Sequence, residues 1–408
     1  MITKLEKFTQ EIREGKHSTK GYQYSQLLKS ARIKNNLTLE EVAKGICSVS
    51  YLCKVENQQL YPGNEYVKPL LERVDLDYES LILKEYSSEF KKAIKSYLYS
   101  DFDCISYIYN MVSNEEGNAN VLLIRCIYFL MTKKFQDFKD TISILDSIKK
   151  SLENNQSILL IFLVAEYYYA IGKINEAHRY ALCLEIIKVE DMDLNILILE
   201  QKIKVSFYKK DFPRLFIYYK MYNDYVYLGY PNERKLIIDL IMCEFKAEAF
   251  KDECLDATKR ISVDNCCEYD KLNILYHKYL VLLKINQYNT VYVDIINNYL
   301  YKDDNRFLSL LAYIVYKNPE KVKQLEFIKN IENISLDEED INIKFIKFVK
   351  NKIQIGKSYD FIEFIKYEVI PFSKQYYHPL FNKIYSKEYI KALCKLSKYK
   401  DATLYLSE

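Results

Sequence analysis

A chain of 408 residues is longer than one hydrophobic core usually organises, so several units or a repeat array are expected. With 49% apolar and 28% charged residues it is not a disordered chain, and its 8 Gly and 7 Pro argue against a sheet-rich fold and against glycine loops that cradle phosphates. A formal net charge of +3 points to no class of partner by itself.

Residues 1–21 are polar and charged and read as an N-terminal arm. Lys4, Glu6, Lys7, Glu11, Arg13 and Glu14 interrupt any apolar run, so no signal peptide is expected. The nearest approach to a membrane span, Ser157 to Ala165, falls far short of the roughly 18 apolar residues required. Ten cysteines form no CxxC pair, and Cys126, Cys183 and Cys243 sit among apolar neighbours. They read as reduced core thiols of a cytoplasmic protein, with Cys266-Cys267 as the one adjacent pair.

Residues 22–80 read as a run of short helices. From Tyr24 to Asn35, Leu27, Leu28 and Ala31 fall on one face. Thr38 stands as an N-cap with Glu41 three residues on, a capping box that opens a helix from Leu39 to about Gly45, with Val42 and Ala43 inward. Ile46-Cys47 makes the turn, and Ser48 caps a third helix from Val49 to about Asn57. Two short helices about a tight turn, flanked on both sides, give a helix-turn-helix whose second member buries Leu52 and Val55. Val49, Ser50, Cys53 and Lys54 are left to approach DNA. The segment is only mildly basic, so binding must rest on fold and dimerisation as well as charge.

The stretch from Leu37 to Asn57, LTLEEVAKGICSVSYLCKVEN, resembles the helix-turn-helix of the Cro/repressor-like (XRE) class, and Gly45 to Asn57 is similar to the PlcR and Rgg regulators. The resemblance implies a DNA-contacting set of Thr38, Ser48, Val49, Ser50, Tyr51, Cys53, Lys54 and Asn57, with Glu56 and Asn57 closing the recognition helix. Gln58-Gln59 stand where the family places Gly followed by Lys or Arg. Pro69 falls inside the next helix, which is therefore expected to start late, near Lys68.

Residues 81–408 read as helix after helix with a period. Helices break before Phe135, Ile174, Phe212, Phe250 and Tyr288, at steps of 39, 38, 38 and 38 residues. Phe102, Val322, Tyr359 and Tyr399 extend the series at looser spacing, and Phe245 to Ile261 can also be drawn as one helix. Two helices per step is the tetratricopeptide arrangement, and Leu163 to Ala177 is similar to its pattern at Ala165, Tyr168, Gly172 and Ala177. The expected fold is all-α: a Cro-like head followed by a right-handed TPR-like α-solenoid. Its inner wall would present Asn120, Phe162, Glu166, Glu200, Lys204, Met242, Asn273 and Tyr276, polar groups for a peptide backbone and Phe162, Met242 and Tyr276 for its side chains.

A Cro-like head with a TPR array resembles the RNPP family. The resemblance implies a cytoplasmic, homodimeric transcription regulator that reads a double-stranded operator and senses a short signalling peptide. Two other readings stay open: a regulator whose array binds a protein or only dimerises, and a Rap-like adaptor with no DNA role. No nucleotide-binding, hydrolase or metalloprotease motif occurs, and His17, His178, His277 and His378 lack metal-ligand spacing, so neither catalysis nor a cofactor or metal is expected. His277 is expected at a surface or groove.

Overall fold

The computed structural model describes every residue except 15–22, 58, 61, 77–85, 116–117, 227–230, 265, 299, 301, 303, 333–339, 357, 396 and 408. The boundaries drawn at 21/22 and 80/81, Gln58 and His17 lie outside the described residues. Among the described residues the chain is all helix, with no strand. No described helix is long and apolar enough to cross a membrane.

The front of the chain carries α1 (Leu5–Arg13), α2 (Gln23–Lys34), α3 (Leu39–Ala43), α4 (Val49–Glu56) and α5 (Asn64–Arg73). Then come α6 (Ser87–Leu98), α7 (Phe102–Val112), α8 (Ala119–Met131), α9 (Phe135–Ile148), α10 (Asn154–Ala170), α11 (Ile174–Cys183) and α12 (Met192–Lys209). The remainder holds α13 (Phe212–Val226), α14 (Asn232–Lys246), α15 (Lys251–Lys259), α16 (Glu268–Lys284), α17 (Tyr288–Asn297), α18 (Asn305–Lys317), α19 (Lys321–Asn330) and α20 (Ile341–Ile355). Next, α21 (Tyr359–Phe364) runs through a π turn (Ile365–Val369) into α22 (Ile370–Gln375), before α23 (Phe381–Lys395) and α24 (Tyr399–Ser407). Two compact units result: Met1–Tyr167 with Ala177–Lys202, and Tyr168–Glu176 with Ile203–Glu408.

In the first unit, α2 to α5 close on one apolar core: Leu27 and Leu28 from α2, Val42 and Ala43 from α3, Leu52 and Val55 from α4, and Val67, Leu70 and Leu71 from α5. The expectation that α5 starts near Lys68 fails, because the helix begins at Asn64 with Pro69 inside it. Proline deletes one hydrogen bond, to the carbonyl of Glu65, an exposed residue that water can satisfy. Burial of Val67, Leu70 and Leu71 outweighs that loss.

The arm at residues 1–21 contains a docked helix. Leu5, Phe8 and Ile12 lie on one face of α1 and are all buried. The Ile2 N–H donates to the Tyr180 hydroxyl at 3.1 Å, Thr3 donates twice to the Asp146 carboxylate, and Arg179 pairs with Glu6 at 2.6 Å. Helix α1 is thereby fastened to α9 and α11.

Behind the head, neighbours in sequence pack together, as α6 with α7, α8 with α9 and α16 with α17, and first helices of successive pairs pack on one another: α6 on α8 in the first unit, α14 on α16 and α18 on α20 in the second. The period has a local cause. Ser100, Lys133, Gly172, Lys210, Asn286 and Ser397 all adopt left-handed backbone, each two residues before the next helix starts. Behind each, an N–H reaches back five residues, as from Lys134 to Phe129 and from Gln287 to Leu282, closing the first helix in a Schellman turn. The aromatic or aliphatic residue that follows begins the second helix. At Phe250 the turn is built differently, with no left-handed residue, but α14 does end at Lys246 and α15 begins at Lys251.

Gly172 is the one glycine among these six. Its φ is +79°, a Cβ there would come within 3.1 Å of Ile341 Cδ1, and its carbonyl accepts the Tyr377 N–H at 2.9 Å. Gly172→Ala should destabilise the protein by about 1–2 kcal/mol, the left-handed cost for a residue with a Cβ. A thermal midpoint unchanged by that substitution would show that the turn relaxes without cost.

Candidate DNA interface and ligand cavity

The head's candidate interface is built by caps. The Thr38 hydroxyl accepts from the Glu41 N–H at 3.2 Å while the Glu41 carboxylate accepts from the Thr38 N–H at 2.7 Å, completing the capping box of α3. The Thr38 N–H first, and then the Thr38 hydroxyl, which donates to the same carboxylate at 2.9 Å, hold the Glu41 carboxyl below its ordinary pKa. Gly45 turns the chain at φ +74°. Arg73 donates to the carbonyls of Glu41 and Lys44 at the end of α3. Ser48 then caps α4 by accepting from the Tyr51 N–H at 3.1 Å.

From this start α4 buries Leu52 and Val55 and turns Val49, Ser50, Lys54 and Asn57 outward. Val49, 37% exposed, offers an apolar surface of the kind that meets a thymine methyl, Ser50 a hydroxyl, and Lys54 a charge. The other members of the sequence-derived set serve the local fold. Thr38 and Ser48 are the caps. Tyr51 is half-buried, its ring 5.1 Å from that of Tyr66 and its hydroxyl accepting from the Gly63 N–H at 2.9 Å. The Cys53 thiol accepts from the Asn57 amide at 3.3 Å. Sequence reasoning passed over Arg32, which grips the buried Glu56 carboxylate through two hydrogen bonds, 2.7 and 2.8 Å, and donates a third to the Leu37 carbonyl at 3.0 Å. This fork ties α2 to the end of α4.

The eight inner-wall residues fall four to each unit. In the first, Asn120 accepts from Gln156 at 2.7 Å, and Glu166 accepts from Tyr97 and Gln201, both at 3.0 Å. Gln201 also donates to the Phe162 carbonyl, the Phe162 ring stands edge-on to Tyr97, and Glu200 is buried. In the second unit, Arg306 donates to Asn273 at 2.8 Å and lies over the Tyr276 ring, Lys204 lies over the Tyr169 ring, and Met242 is buried. All these positions are buried or half-buried, and the hydrogen bonds among them cross-link successive first helices.

His277 is buried at 8% exposure, not at a surface, because α16 is covered by α14 as well as by its partner α17. His378 is equally buried. Its Nδ1 accepts from the Leu380 N–H at 3.3 Å and its Nε2 lies 2.7 Å from the Tyr276 hydroxyl, so the neutral ring carries its proton on Nε2 and donates it there. Burial pushes both imidazoles down to about 3; Lys204 and Arg306 add to this at His277, and His277 adds to it at His378.

The second unit also contains a cavity of about 710 Å³ that the sequence frame did not single out. Its walls are the C-terminal ends of α12, α14, α16 and α18 and the start of α23. Phe207, Phe212, Phe245, Tyr288, Tyr313 and Tyr316 make it aromatic. Lys284 is paired with the buried Glu244 at 3.0 Å, and Lys383 lies within electrostatic reach of the same carboxylate; Glu248 also lines the cavity, and among the described residues no ion pair holds Lys317 or Lys387. Lysines in the last turn of a first helix, such as Lys284 and Lys317, were the available signal. That position is favoured by the helix dipole in any case, which hides its meaning. Comparison with protein-family models, curated proteins and solved structures returned no match to this chain.

Proposed function

We propose that the chain is a cytoplasmic transcription regulator, a homodimer whose helix-turn-helix head reads a two-half-site operator and whose TPR-like repeats sense a short signalling peptide. The observation that carries the DNA half is α4. It is capped, pinned by Leu52, Val55 and the Arg32–Glu56 fork, and turns Val49, Ser50 and Lys54 to solvent at its outer face. A recognition helix needs that division between a fixed inner side and a bare outer one. The repeats support the sensing half, since stacked helix pairs enclosing an aromatic, basic cavity provide a site for a peptide. Peptide binding would shift the population of dimers whose heads match the half-site spacing. The protein would act by binding alone, without catalysis or a cofactor.

The combined substitution of Ser50→Ala and Lys54→Ala should weaken binding to DNA upstream of the protein's own gene by about tenfold or more in a gel shift, with helicity unchanged. Equal affinity of the two proteins would remove α4 as the recognition helix. No shift by the wild type would favour an adaptor without a DNA role.

A further inference from the structure

The α12–α23 cavity brings together two kinds of surface. Phe207, Phe245 and Tyr313 supply an apolar wall, and the volume falls within the roughly 300–1,000 Å³ of small-ligand sites. Against it stand Lys317, Lys383 and Lys387. Lys383 is the third residue of α23, where the helix dipole opposes a cation, and Lys387 lies one turn on. Lys317 is held below its ordinary pKa by burial first, then by Lys387 and Lys383, so the three ammonium groups are close enough to repel. Glu244, paired with Lys284, also attracts Lys383, and Glu248 stands in the same lining, but Lys210, Lys284, Lys317, Lys383 and Lys387 outnumber these two carboxylates. Like charges in excess in a partly enclosed site are stabilised when an anion enters.

We infer that this cavity anchors a short peptide by a carboxylate seated among Lys317, Lys383 and Lys387, with the peptide's apolar side chains against Phe207, Phe245 and Tyr313. The inference rests on the peptide-sensing reading and specifies its ligand: an acidic peptide with an apolar body, its carboxylate supplied by the C-terminus or by an acidic side chain. A neutral or cationic peptide would leave the lysines unmatched.

The chain has no Trp, so a tryptophan-bearing peptide carries the only indole in the mixture and reports its own binding. The probe is a pool of heptapeptides with Trp at the centre and Leu, Ile, Phe, Ser or Gly elsewhere. It is made in three forms: free C-terminal carboxylate, C-terminal amide, and amide with one position fixed as Glu. Titrated into the full chain, at least one anionic pool should bind about tenfold more tightly than the neutral amide pool. Preference for the first anionic form places the carboxylate at the peptide's end, and preference for the third places it on a side chain. The double substitution Lys383→Gln and Lys387→Gln should abolish the difference while leaving the far-ultraviolet circular dichroism unchanged, and the wild-type comparison stands without it. Equal binding of neutral and anionic pools would overturn the anchor and leave peptide sensing intact. Binding by none of the three would remove both.

Discussion

Arg32→Ala should unfold the head while the rest of the chain keeps its helices. The Glu56 side chain is 4% exposed and Arg32 is its partner, gripping both carboxylate oxygens. With the guanidinium gone, a carboxylate is left in a nearly dry site, and breaking a buried pair in this way costs on the order of 3–5 kcal/mol. The Leu37 carbonyl loses its donor as well. A core of some ten apolar side chains in four short helices has little reserve against such a loss. Limited proteolysis between residues 23 and 76, together with loss of DNA binding, is the readout. Arg32→Lys should rescue only in part, because an ammonium cannot supply the fork. A head that stays protease-resistant with alanine at position 32 would mean Glu56 finds another cation or takes up a proton.

Mild acid should destabilise the second unit well before its carboxylates titrate. His277 and His378 have folded-state pKa values of about 3 against an ordinary 6.5. Between those values the unfolded chain binds a proton at each imidazole and the folded chain does not. The stability they contribute is therefore fully present above about pH 6.5 and falls as pH drops, by about 1.4 kcal/mol per pH unit for each histidine. From pH 7 to pH 5 the pair should cost on the order of 4 kcal/mol. His378→Gln should remove part of the slope at some loss of stability at neutral pH, since the donor to Tyr276 changes. A second fall is expected below about pH 4.5. There Glu388 acts: burial would raise its pKa, but hydrogen bonds from Lys352, Lys391 and Tyr316 outweigh that and hold it at about 2. A thermal midpoint flat between pH 7 and pH 5 would show that water reaches the two rings.

Much of this architecture is legible in the sequence wherever its cause is local. Thr38 with Glu41, and Ser48 before an apolar pair, announce helix starts because caps act within one turn. The repeat period is legible because one chain reversal recurs, a left-handed residue followed at the second position by a bulky one. Helix α1 was within reach too, from the spacing of Leu5, Phe8 and Ile12, but its charged face masked it. Arg32 and the cavity lysines were not legible, since their partners lie far off in sequence and helix-surface cations are ordinary. The burial of Asn120, Glu166 and Glu200 likewise depends on which side of a first helix meets the next pair, a matter of stacking and not of period.

The fastening of α1 to α9 and α11 gives the head an unusual mechanical status. It is an insertion in the chain order, since α1 comes before it and the helices that hold α1 come after it. A load borne by the head would thus reach α9 and α11 through α1.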